Sequence, residues 1–211
     1  MKTASLIDML ARGAGPAPRA VEARRLWPAA ALGLLASAAM ALSLFGPIPA
    51  SMLASTAPWL KLSYALALAL AAGWLTAGLA RPVARLNSPC RAVLAVIVAM
   101  VLVGTWSVVV AGSADRLAMV FGPTWRSCPW SVLVLSLPAL AGVFWAVRGL
   151  APTRPRAAGF ASGLLAGAVG AGGYALACPE ASIVFVAIWY TLGIALTGCL
   201  GALLGPRVLA W

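Results

Sequence analysis

The chain contains no histidine, and only four of its 211 residues are acidic. The absence of histidine removes the commonest general base and the commonest metal ligand of proteins. Charged residues make up 9% of the sequence, whereas hydrophobic residues make up 63% and the mean hydropathy is +1.00. A soluble domain of this size could not bury so much apolar surface, so the composition predicts an integral membrane protein.

Positive charge is the second feature of the composition, with a net charge of +11. In a soluble protein this excess would suggest a nucleic-acid partner. Here the charges lie between apolar runs, and no basic patch alternates with aromatic residues. We therefore expect the charges to orient the chain in a lipid bilayer, and we expect no direct contact with nucleic acid.

Six apolar segments approach the roughly 20 residues that a membrane-spanning helix requires. They predict an all-α, polytopic fold with six transmembrane helices at approximately 26–45, 60–80, 92–112, 129–147, 157–177 and 183–204. The connections between these segments are short. The chain is therefore divided into an N-terminal segment, 1–25, and a six-span bundle, 26–211.

The distribution of lysine and arginine predicts the orientation of the bundle. Twelve of the 15 lie in the N-terminal segment, the second and fourth connections and the C-terminus. The other three, Lys61, Arg116 and Arg126, lie in or beside the first and third connections, and the fifth connection carries none. Because positive loops stay in the cytosol, this asymmetry places both termini there. The chain is therefore predicted to cross a membrane several times.

The last two predicted spans each carry a small residue at every fourth position. These residues are Gly159, Gly163, Gly167, Ala171 and Ala175 in one span and Gly193, Thr197, Gly201 and Gly205 in the other. Small residues four apart share one helix face and allow two backbones to approach closely. We expect the two spans to form a tight antiparallel hairpin.

A short amphipathic helix is predicted at the N-terminus. Leu6, Ile7 and Leu10 form one apolar face, and a Gly- and Pro-rich stretch at 13–18 ends the helix. An isolated helix this short is marginal in water. It should become ordered only against the membrane surface, the bundle or a protein partner.

Two of the four cysteines stand apart from the others. Cys128 and Cys178 lie at the edges of predicted spans, each is followed by proline, and both fall on the exoplasmic side. Cys90 and Cys199 are interpreted as small apolar residues. On an oxidising side of the membrane the first pair could form a disulfide. The pair could instead bind a soft metal ion, with Glu180 as a further ligand.

Several short blocks of the sequence are distinctive: Met1-Lys2-Thr3, Leu6-Ile7-Asp8, Cys178-Pro179-Glu180, Phe185-Val186, Trp189-Tyr190 and the run from Gly205 to Trp211. Together with the six spans, these blocks resemble the NrsF family of bacterial six-span membrane anti-sigma factors, which are located in the inner membrane. The resemblance extends over the whole chain. It implies a regulator that holds an extracytoplasmic-function sigma factor at the membrane and releases it on oxidative or heavy-metal stress.

The resemblance also implies roles for individual residues. The two sensing cysteines of the family fall on Cys128 and Cys178. The contact with the sigma factor falls on the N-terminal residues Lys2, Leu6, Ile7 and Leu10. Such a regulator is not an enzyme and requires no cofactor, although a thiophilic metal ion could bind transiently at Cys128, Cys178 and Glu180.

Two other classes of protein are weighed against this interpretation. A small transporter or permease would place charged or polar groups at mid-membrane, but the span interiors offer only Ser, Thr and Gly. A membrane thiol oxidoreductase would require a CxxC pair, which the sequence lacks. Both stay as alternatives to a membrane anti-sigma factor.

Overall fold

The computed structural model describes residues 3–13, 21–81, 86–112, 115–150 and 152–210. Within these ranges the regular structure is helical and no strand is formed, which confirms the predicted all-α class. The helices in chain order are α1 (Thr3–Gly13), α2 (Val21–Phe45), α3 (Ala50–Leu53), α4 (Thr56–Leu79), α5 (Asn87–Val110), α6 (Arg116–Val120), α7 (Cys128–Arg148), α8 (Pro155–Tyr174) and α9 (Ile183–Val208).

Five of these helices, α2, α4, α5, α7 and α9, are long and apolar enough to cross a membrane. They correspond to five of the six predicted spans. The first begins at Val21, five residues before the predicted boundary, so part of the predicted N-terminal segment is helical. The short helices α3 and α6 lie in the first and third connections.

Helix α8 corresponds to the fifth predicted span, 157–177, but its composition differs from that of the other five. Six of its 20 residues are glycine, which dilutes its apolar character. Sixteen of the 20 are buried, because α8 packs against α2, α4, α7 and α9 at the centre of the bundle. The faces of α8 that contact these neighbouring helices therefore consist mostly of small residues.

The contact between α8 and α9 is as close as the small-residue spacing predicts. A Cβ atom added to Gly163 would lie 2.8 Å from the Cα atom of Gly198. One added to Gly167 would lie 2.9 Å from the Cα atom of Ile194. These are backbone contacts, so glycine allows the two helices to touch. The predicted antiparallel packing of the last two long helices is confirmed.

Helices α2 and α7 also meet through small residues. A Cβ atom on Gly33 would lie 2.6 Å from the Cα atom of Ala139. One turn further along, the buried hydroxyl of Ser37 donates a hydrogen bond of 2.5 Å to the carbonyl oxygen of Leu135. A buried hydroxyl needs such a partner, and this one joins two helices.

Candidate functional site: a buried thiol pair

One end of the bundle is rich in arginine. Arg81, just after α4, forms an ion pair with Glu22 in the first turn of α2, with 3.1 Å between Nη2 and Oε2. The guanidinium of Arg25 packs against Gly149, just after α7. The ends of these helices therefore lie together, and we call this the arginine end. Its described arginines are Arg24, Arg25, Arg81, Arg91, Arg148, Arg154, Arg156 and Arg207.

The opposite end of the bundle holds Cys128 and Cys178, and we call it the thiol end. Cys128 is the first residue of α7, and Cys178 follows the end of α8. Both are free cysteines with no exposed surface. Each thiol lies within electrostatic range of the other, and Cys128 is also within range of Lys61 and Glu180. The structure thus brings together the two cysteines that the sequence singled out.

Lys61 is a member of this site that the sequence analysis counted only as a loop charge. It lies in the second turn of α4 and has no exposed surface. Its ammonium donates a hydrogen bond of 2.8 Å to the carbonyl oxygen of Cys178. A buried ammonium is costly without a hydrogen-bond partner, so this contact fixes both groups. A lysine at the start of an apolar run was the available signal.

Glu180 holds the chain that follows Cys178. Its side chain is nearly buried, and Oε1 accepts hydrogen bonds from the backbone N–H of Thr124 at 3.0 Å and from the Thr124 hydroxyl at 2.7 Å. Gly122 leaves room for this carboxylate, since an added Cβ atom would lie 2.7 Å from Cδ of Glu180. The segment after α8 is thereby joined to the turn that precedes α7.

The predicted three-ligand metal site does not appear as a cluster. Among the described residues, no group of three or more Cys, Asp and Glu side chains is placed to hold a metal ion. The carboxylate of Glu180 is instead occupied by Thr124. Two thiols remain as the soft donors of the site, so the structure supplies a pair of sulfur ligands rather than a closed coordination sphere.

Two tyrosines complete the surroundings of the thiols. The rings of Tyr174 and Tyr190 lie 5.8 Å apart, and both side chains are within electrostatic range of Cys178. The Tyr190 side chain is fully buried, with its hydroxyl beside the Cys178 thiol. Tyr190 ends a π-helical turn, Val186–Tyr190, and such turns are frequent at functional sites.

The predicted N-terminal helix is present as α1. Ile7 and Leu10 are 62% and 66% exposed, so the apolar face of α1 is open. An ion pair of 2.7 Å joins Asp8 to Arg12 along the helix. Of the other residues predicted to contact a partner, Lys2 and the side chain of Leu6 lie outside the described residues.

The fold and the site define a class of protein: a polytopic helical membrane protein with a buried thiol pair at one end of its bundle. A family model described as "Negative regulator of sigma F" matches residues 10–211. The chain belongs to this family, NrsF, as its sequence blocks indicated.

Two relatives match the chain over its whole length and theirs. The chain is 38% identical to a protein of Azospira oryzae named "Probable anti-sigma-F factor NrsF". It is 37% identical to a protein of Caulobacter vibrioides named "Anti-sigma-F factor NrsF". No solved structure matches the chain.

Proposed function

We propose that the protein is an anti-sigma factor of a bacterial inner membrane. It holds an extracytoplasmic-function sigma factor and releases it when Cys128 and Cys178 react with an oxidant or a thiophilic metal ion. The observation that carries this proposal is the burial of both thiols together at the end of the bundle opposite the arginine end. The names of the two relatives support a sigma factor as partner, and a role of this kind requires no enzymatic activity.

In the proposed topology α8 also crosses the membrane as the fifth of six spans, and both termini lie in the cytosol. Its 20 residues rise about 30 Å as an α-helix, which is the thickness of the hydrocarbon core. Its close antiparallel contact with α9 supports a path through the membrane alongside that helix. An even number of spans leaves both termini on the arginine side, as the positive-inside rule requires. The thiol end then faces the oxidising compartment.

Helix α1 is the proposed contact with the sigma factor. Its exposed Ile7 and Leu10 supply an apolar strip of the kind that binds a groove on a partner. The family resemblance adds Lys2 and Leu6 to this contact. Because a short helix is marginal by itself, binding to the sigma factor would supply the missing packing.

The signal begins with the two thiols. Formation of a disulfide removes two electrons and two protons from Cys128 and Cys178, and the oxidant accepts them. The new bond draws the start of α7 towards the segment held by Lys61 and Glu180. Helices α7 and α8 touch through backbone atoms, since a Cβ atom added to Gly170 would lie 2.8 Å from the Cα atom of Ser136. The displacement therefore cannot be absorbed locally and reaches the arginine end.

The energy available fits a switch of moderate strength. Shifting the ratio of the releasing state to the holding state of the protein from 1:99 to 99:1 requires a free-energy bias of about 5.5 kcal/mol. A disulfide stabilises a folded protein by about 2–4 kcal/mol relative to its unfolded chain, and a bias of that size between two folded states would shift their equilibrium roughly 30-fold to 900-fold. An oxidised pair would therefore raise the released fraction from about 1% to between about a quarter and nine tenths.

The sensing part of the proposal is tested with a sigma-dependent reporter. The double variant Cys128→Ser, Cys178→Ser should lose the response to oxidant and to metal. The matched control Cys90→Ser, Cys199→Ser changes the two exposed cysteines and should keep it. A response that persists in the first variant would refute the thiol pair as the sensor.

The partner contact is tested separately by capture of the sigma factor on the intact membrane protein. Deletion of residues 1–12 should abolish capture, and Ile7→Ala with Leu10→Ala should weaken it. The variant Asp8→Ala with Arg12→Ala removes the exposed ion pair of the same helix and serves as the control. Unchanged capture after the deletion would exclude α1 as the contact.

A further inference from the structure

A groove of about 660 Å³ runs along the outside of the bundle between the start of α8 and the end of α9. It opens at the arginine end and extends towards the middle of α9. Its walls include Arg156, Phe160, Cys199, Leu203, Pro206 and Arg207. The groove is therefore cationic at one end and apolar along the rest of its length.

Arg156 and Arg207 are both exposed, and neither forms an ion pair within the described part of the chain. The chain has only four acidic residues that could neutralise them. Glu22 pairs with Arg81, and Asp8 pairs with Arg12. The other two, Asp115 and Glu180, lie at the thiol end. No described acidic side chain is therefore placed to neutralise this end of the groove.

The apolar part of the groove indicates what kind of molecule fits it. Phe160 and Leu203 are 39% and 69% exposed, and α9 is apolar enough to cross a membrane. A ligand in this groove meets two guanidinium groups at one end and hydrocarbon surface at the other. An anionic amphiphile complements both parts, whereas a polar peptide would complement only the first.

We propose that this groove binds an anionic phospholipid, with its phosphate held by Arg156 and Arg207 and an acyl chain lying along Phe160 and Leu203. Guanidinium groups hold phosphate through paired hydrogen bonds. Basic pockets between transmembrane helices bind lipid head groups in this way. The proposal is independent of the sensing function, because the groove lies at the end of the bundle away from the thiol pair.

Cys199 provides a direct measure of occupancy, because it lines the groove and is exposed. Cys90 is also exposed but does not line the groove, so it serves as an internal reference in the same molecule. The full chain is placed in nanodiscs of phosphatidylcholine with increasing phosphatidylglycerol. Alkylation by N-ethylmaleimide is then followed for both cysteines by peptide mass spectrometry. Phosphatidylglycerol should slow alkylation of Cys199 relative to Cys90 by fivefold or more.

The variant Arg156→Gln, Arg207→Gln should require about thirtyfold more phosphatidylglycerol for the same protection, or about fivefold for each charge removed. The control Arg116→Gln, Arg126→Gln removes the same charge at the thiol end and should leave protection unchanged. Equal protection in the two double variants would overturn the proposal. So would protection of Cys199 by a soluble acidic peptide where phosphatidylglycerol gives none, since the groove would then belong to a protein partner.

A measurement on the unmodified chain covers the case in which the double variant fails to fold. Native mass spectrometry from mixed micelles should show phosphatidylglycerol retained in preference to phosphatidylcholine. Equal retention of the two lipids would overturn the proposal without any substitution.

Discussion

Replacing Gly163 by alanine should destabilise the bundle, because the added methyl group would meet backbone atoms of α9. Its Cβ atom would lie 2.8 Å from the Cα atom of Gly198 and 3.0 Å from the carbonyl carbon of Thr197. Neither atom can move without displacing a helix. Such overpacking costs about 1–3 kcal/mol.

Gly172 in the same helix offers a matched control. It is buried as well, but an added Cβ atom would lie 3.5 Å from Cδ1 of Leu34 and 3.7 Å from Cβ of Ala65, which is ordinary contact. Both substitutions gain the same helix propensity, about 0.5–1 kcal/mol. The difference between Gly163→Ala and Gly172→Ala therefore isolates the packing term, and it should be about 1–3 kcal/mol.

Thermal unfolding of both variants in the same detergent tests this difference. For a chain of this size each kcal/mol shifts Tm by about 2–4 °C, so the Tm of Gly163→Ala should lie about 2–12 °C below that of Gly172→Ala. Two equal Tm values would refute the conclusion that backbone contact holds α8 against α9. A lower Tm for Gly172→Ala would refute it as well, since the tighter contact would then lie at Gly172 rather than against α9.

Two further predictions concern the thiol end, and both are measured as Tm in detergent. Lys61→Ala should cost about 2–5 kcal/mol, because it leaves a cavity and removes the donor to the Cys178 carbonyl. Lys61→Met should cost less, since it keeps the volume and no longer buries an ammonium; equal losses would show that the charge rather than the packing matters. Glu180→Ala should cost about 1.5–3 kcal/mol through the lost hydrogen bonds from Thr124. Glu180→Gln keeps an acceptor oxygen and should recover most of that loss, whereas an equally unstable Glu180→Gln would mean that the negative charge is required.

The long helices and one of their contacts could be predicted because both depend on local patterns. Length and hydropathy indicated the five most apolar helices. A repeat of small residues every four positions indicated the face on which α8 meets α9. The composition of α8 suggested only another span, and its six glycines were the sign of a helix surrounded by other helices.

The site could be predicted only in part for a related reason. The prolines that follow Cys128 and Cys178 and the charge asymmetry of the loops indicated that the two thiols share one end of the bundle. Lys61 was missed because its burial depends on how α4 is rotated against the segment after α8, which no local pattern records. A tyrosine near the end of a span is typical of an interfacial anchor, yet Tyr190 is fully buried beside the thiols. A π-helical turn changes the helix face on which it lies.

By itself the sequence determined that this is a helical membrane protein of the NrsF family, with positive charge concentrated away from two cysteines. The helical membrane character and the charge asymmetry follow from composition, spacing and charge count, which are sums over residues along the chain. The family follows from short blocks of matching sequence. Only the tertiary structure decided that the cysteines are buried with Lys61, that Glu180 is held by Thr124, and that Arg156 and Arg207 head an apolar groove. Those relations join residues from different helices, and they depend on the rotation and depth of each helix in the packed bundle.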